Sequence, residues 1–106
     1  MRILFDQGTP APLRHALPGH TIATAYEMGW AVLDNGRLLE AAEAEFDAFI
    51  TTDQNLRYQQ SAVRRRVAIL VFPTTSWLKI QAHASAVAAA LTALAPGDFV
   101  DLEFPS

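Results

Sequence analysis

The chain has 106 residues, 51% of them hydrophobic, with mean hydropathy +0.14, and it contains no cysteine. That length makes one domain with a modest core, and that composition excludes intrinsic disorder, disulfides and thiolate metal sites. Eight Lys and Arg against 11 Asp and Glu leave a net charge of −3, which excludes a uniformly basic nucleic-acid binder.

Arg2-Ile3-Leu4-Phe5 reads as an apolar strand running into Asp6 and Gln7. Thr9 and Pro10 then look like the N-cap and first residue of a helix over Pro10–Leu17, ended by Pro18-Gly19. His20–Thr24 reads as a second strand. Tyr26–Trp30 reads as a short helical turn stopped by Gly29, with Trp30 either tucked under the loop or placed to stack a base. Asp34-Asn35-Gly36 is a turn and helix entry. The helix Gly36–Glu45 puts Leu38, Leu39 and Ala42, and then Phe46, on one face. At about 100° per residue, Glu43 falls at the edge of that face and Glu40 points away from it.

Phe46–Ile50 is a short aromatic and β-branched run, so Asp47–Thr51 reads as a buried strand. Asp53 follows it, where an aspartate also makes a good N-cap for a helix over Gln54–Ala62. Arg66–Phe72 is a continuous apolar strand, as in the centre of a parallel sheet. Pro73–Ser76 breaks it, and Ser76 caps a helix over Trp77–Ala95 that carries Trp77, Ile80, Ala84, Val87, Leu91 and Leu94 on one stripe. Its many alanines allow close helix approach, which would suit a homodimer and equally reflects helix propensity. Pro96-Gly97 stops it. Asp98–Phe104 alternates like an edge strand, with Asp101 and Glu103 towards solvent.

The expected fold is α/β: a three-layer α/β/α sandwich around a mainly parallel sheet of about five strands, in one domain over residues 1–106. Two strands in it, one ending at Asp6 and one at Asp53, would deliver carboxylates to the same edge. Like charges held together need a compensating cation or proton, and a hard divalent ion with oxygen ligands, Mg²⁺ or Mn²⁺, is the economical choice. Charge distribution adds to this. From Glu27 to Asp53 there are seven acids and one base, whereas from Gln54 to Gly97 there are five bases (Arg57, Arg64, Arg65, Arg66, Lys79) and no acid. An acidic metal site beside a phosphate-holding flank would look like this. No uncharged apolar stretch reaches about 18 residues and no basic-then-apolar leader opens the chain, so a cytoplasmic protein without a membrane span is expected.

The ordered set LFDQ, HTIATAYEMGW, LDNGRLLEAAE, FDAFITTDQNLRYQQ and RRRVAILV resembles the PIN-like domains, and within them a short bacterial branch thought to include toxins of toxin–antitoxin pairs. The resemblance runs from Arg2 to about Val71, and residues Thr51–Gln60 are its most specific part. It implies a metal-dependent ribonuclease cleaving single-stranded RNA, with a small antitoxin protein as a partner. Asp6 and Asp53 would be catalytic metal ligands. A third acid is expected near the helix entry, either Asp34 or, at the helix flank, Glu43; in similar chains the asparagine at the position of Asn35 marks that entry. Arg57, Arg64, Arg65 and Arg66 would hold substrate phosphates, with Gln7, Asn35, Gln54 and Asn55 as further polar groups nearby. The family often carries another acid soon after the strand-end aspartate. Here that neighbourhood is amides and arginine, which argues against a second metal.

Two other readings stay open. The thin acidic set suits a catalytically silent PIN-like module that docks an antitoxin or self-associates. A phospho-accepting receiver domain also puts acids on strand ends, with Thr74 and Lys79 as loose counterparts of its partners, but Lys79 falls in a helix.

Overall fold

The computed structural model describes residues 1–59, 62 and 65–104. Five strands form one sheet: β1 (Arg2–Phe5), β2 (Thr21–Thr24), β3 (Ala48–Thr51), β4 (Ala68–Val71) and β5 (Phe99–Asp101). Their order is β2-β1-β3-β4-β5, and every neighbouring pair is parallel. The sheet is thus wholly parallel, and the edge strand that alternation predicted over Asp98–Phe104 is realised as β5.

Alternation along the strands divides the core. Ile3 and Phe5, Ala48 and Ile50, and Ala68 and Leu70 face one side, where they meet Leu13 and Leu17 together with Ile80, Val87 and Leu91. Leu4, Phe49, Ile69 and Val71 face the other side and meet Leu38, Leu39, Ala42, Phe46 and Leu56. The first face is covered by a 3₁₀ helix (Ala11–Ala16), α2 (Trp77–Ala82) and α3 (Ala84–Ala93), and the second by α1 (Asn35–Glu45) and a 3₁₀ turn (Leu56–Tyr58). Helices on both faces make the three-layer α/β/α sandwich. Apart from Arg2 at the start of β1 and Thr51 at the end of β3, the strands β1, β3 and β4 are apolar, because both faces are covered. Phe5, Phe49 and Phe72 are fully buried, each contributing about 3 kcal/mol by removal from water.

Several elements are shorter than the sequence predicts. The helix over Pro10–Leu17 is the 3₁₀ helix, and the turn over Tyr26–Trp30 makes no helix. The helix over Gln54–Ala62 shows the Leu56–Tyr58 turn, and Gln60 and Ser61 lie outside the described residues. The helix over Trp77–Ala95 is two helices. His83 separates them with φ −116° and ψ 25°. Its Nδ1 lies 2.8 Å from the Lys79 carbonyl oxygen, and its ring stacks on Phe104 at 4.6 Å between centroids. A side chain occupying the carbonyl four residues back competes with the helical backbone bond.

Candidate functional site

The chain leaves β1 through the 3₁₀ helix on one face of the sheet and leaves β3 through the 3₁₀ turn on the other. The neighbours β1 and β3 therefore part at their carboxyl ends. Such a switch point is where open α/β sheets hold ligands. Asp6 and Asp53 stand there, immediately after these two strands.

Asp6 is only 4% exposed and accepts three side-chain donors: the Thr9 hydroxyl on Oδ1 at 2.6 Å, and the Thr51 hydroxyl at 2.5 Å and Asn35 Nδ2 at 3.3 Å on Oδ2. Asp53 Oδ2 accepts the same Asn35 Nδ2 at 3.2 Å. Its Oδ1 accepts the Asn55 backbone N–H at 2.9 Å. The Asp53 N–H donates to Thr51 Oγ1 at 3.0 Å. The two carboxylates thus converge on one amide nitrogen, whose hydrogens sit where a cation would offset both charges. The loop after β1 fits closely, because a Cβ on Gly8 would collide with Thr52 Oγ1.

The helix entry delivers Asn35 to the pair and withholds Asp34. Asp34 is exposed, and its side chain caps α1 by accepting the Arg37 N–H at 2.9 Å. Glu43 is also kept away. It accepts the Arg66 N–H at 2.6 Å and the Val67 N–H at 3.0 Å, so it fixes the approach to β4 at the opposite, amino edge of the sheet. Among the described residues, no group of three or more Asp, Glu or His side chains could hold a metal.

The basic flank is likewise dispersed. Arg57 pairs with Asp101 at the end of β5, so that acid is not simply solvated, and its guanidinium lies 6.0 Å from the Tyr58 ring. Arg65 and Arg66 precede β4 at the amino edge, away from the carboxylates. Arg65 stands 3.9 Å from Glu40, and Arg66 Nη2 donates to the carbonyls of Glu43 at 2.6 Å and Phe46 at 2.9 Å, closing the end of α1. Arg64 lies outside the described residues. The remaining amides are tethers: Gln7 Nε2 donates to the Ala31 carbonyl and Gln54 Nε2 to the Phe72 carbonyl.

Two residues that bear on the site carried little signal in the sequence. Thr9, read there as a helix N-cap, turns its hydroxyl back to Asp6 and the Ile50 carbonyl. Thr51, read as strand, links both aspartates. A run of threonines before a strand-end aspartate is the only hint of this.

Hard divalent ions are often held by one or two carboxylates, with water and substrate oxygens filling the other positions. Asp6 Oδ1 and both Asp53 oxygens each accept one donor here, so lone pairs remain. Turning the Asn35 amide would present its carbonyl oxygen. The donor set suits one Mg²⁺ or Mn²⁺, and the missing third acid argues against two. In comparisons with known proteins, the chain matches no family model, no curated protein and no solved structure.

Proposed function

We propose that the chain is a PIN-like, metal-dependent ribonuclease that cuts single-stranded RNA, acting in the cytoplasm as the toxin of a toxin–antitoxin pair. The observation that carries this reading is the meeting of Asp6 and Asp53 on the Asn35 amide at the β1–β3 switch point. Asp6 and Asp53 would hold one Mg²⁺ or Mn²⁺, with the Asn35 carbonyl as a third donor. Such an ion activates water and offsets charge developing on a phosphodiester. Thr9 and Thr51 hold the Asp6 carboxylate in place. Tyr26 follows β2 and Tyr58 follows β3, both 79% exposed at the carboxyl edge of the sheet, and unpaired bases stack on such rings. The choice of RNA and of an antitoxin partner rests on the sequence resemblance.

The test joins activity to binding. Wild-type protein should cut single-stranded RNA with Mg²⁺ or Mn²⁺, and Asp53→Asn should abolish cleavage while leaving RNA binding intact. Mn²⁺ should raise the melting temperature of the wild type, and Asp53→Asn should lose most of that rise. Equal shifts in both proteins would remove the metal site.

A second reading draws on a different observation. Val32 and Leu78, 94% and 77% exposed, lie in segments that follow β2 and β4 at the same edge. With only two acids present, they favour a silent module that docks an antitoxin or a second copy of the chain. Wild type that neither cuts nor binds RNA would establish this reading in place of the first.

A further inference from the structure

A cleft of about 630 Å³ opens beside Asp6 on the β2 side of the carboxylate pair. Small-molecule sites have this size. Its wall is formed by the loop after β1, by Pro12, Arg14 and His15 of the 3₁₀ helix, and by Tyr26 and Glu27 after β2. Arg14 and Glu27 meet as a fork, with Nη1 to Oε2 at 3.0 Å and Nη2 to Oε1 at 2.5 Å. Glu27 is fixed further, since Oε1 accepts the Thr24 N–H at 2.9 Å and the Glu27 N–H donates to Thr24 Oγ1 at 3.1 Å.

This arrangement decides what the cleft can take. The Arg14 charge is spent on Glu27, and Asp6 adds a negative charge at the inner end. Both Nη groups of Arg14 are committed to Glu27 and its one unpartnered donor, the Nε–H, is buried, so a phosphate would find no accessible arginine or lysine in this wall. A neutral, flat, hydrogen-bonding group would find the exposed Tyr26 ring and the exposed His15 imidazole. A nucleotide has both parts, a charged phosphate and an uncharged base with ribose.

We infer that the cleft receives the base and ribose of the nucleotide whose phosphate lies at Asp6 and Asp53. The inference deepens the proposed nuclease reading and rests on it, and it gives Tyr26 the part of a stacking residue. Base–aromatic stacking is sequence-tolerant, so the subsite should accept purines and pyrimidines alike.

The experiment is an NMR titration of ¹⁵N-labelled protein with adenosine 5′-monophosphate and uridine 5′-monophosphate in the presence of Mg²⁺. Both should move the amides of Gly8, Ala11, Tyr26 and Glu27, whereas inorganic phosphate should leave Tyr26 and Glu27 unmoved. Tyr26→Ala should weaken nucleotide binding about tenfold, and Tyr26→Phe should restore it. Because Tyr26 is 79% exposed, both variants should keep the wild-type spectrum elsewhere. If the nucleotides leave these amides unmoved, or if Tyr26→Ala binds as well as wild type, the inference is overturned even where RNA is still cut. If nucleotides bind in the cleft and no RNA is cut, the nuclease reading fails alone and the cleft stands as a nucleotide site.

Discussion

The Thr51 hydroxyl donates to the Asp6 carboxylate at 2.5 Å, and both side chains are buried. The same oxygen accepts the Asp53 N–H, so one side chain of β3 fixes both the Asp6 carboxylate and the Asp53 backbone. Thr51→Val keeps the β-branched shape and removes both bonds. Loss of a donor to a buried acceptor costs about 1–3 kcal/mol. Urea unfolding should show a loss of that size with an unchanged m-value, and Thr51→Ser should recover most of it. A Val variant as stable as wild type would deprive Thr51 of this organising part.

Asp6→Asn sets two effects against each other. Removing one of two neighbouring carboxylates relieves a repulsion of roughly 3 kcal/mol for unit charges ~6 Å apart near a protein surface. Yet Asp6 accepts three donors, each bond to a charged acceptor contributing about 1.5–3 kcal/mol, and the asparagine NH₂ would face at least one of them. The donors outweigh the repulsion. The metal-free variant should therefore be less stable by about 1–2 kcal/mol, read from melting in EDTA at low salt. A more stable variant would mean that repulsion dominates and that the donors do little.

Asn35→Asp would supply the missing third acid. Three carboxylates would then meet where one amide now bridges two. Without metal the variant should melt lower than wild type, because like charges crowd. With Mn²⁺ its rise in melting temperature should exceed that of the wild type. A smaller rise would place the ion elsewhere.

The fork between Arg14 and Glu27 predicts a pH dependence. Its hydrogen bonds from Arg14, and then the Thr24 N–H, lower the Glu27 carboxyl to about 2, and the same bond raises Arg14. A depressed carboxyl stabilises the fold above its unfolded value, near 4.3, and that contribution is lost as pH falls towards about 2. Glu27→Gln should thus be less stable than wild type at pH 6, and the gap should close between about pH 4.5 and 2. A gap independent of pH would show that the glutamate acts through packing rather than charge.

The strands and their closing aspartates were legible because apolar runs bounded by polar residues carry their own signal. Sheet edge and residue type then sufficed to pair Asp6 with Asp53. What escaped depends on contacts between distant segments. His83, where the last helix breaks, stacks on the distant Phe104, a contact that no residue near 83 announces. Glu43 and Arg66 looked like a metal ligand and a phosphate holder, yet each ties α1 to the start of β4. Charge alone cannot distinguish an arginine that awaits a phosphate from one that closes a helix. Asn35 was noticed as polar, but its place between the carboxylates needed the helix entry in three dimensions.

The tight approach of Gly8 to Thr52 makes the two positions epistatic. A methyl at 8 cannot coexist with the Thr52 hydroxyl where it now stands, so Gly8→Ala would push the segment carrying Asp53 away from the one carrying Asp6. The same alanine beside Thr52→Ala would find Asp6 Oδ1 and the Cβ at position 52 at an ordinary contact distance of 3.8 Å. Sequence drift at one site would thus be tolerated only after the other had changed, and a library randomised at both should return them as a correlated pair.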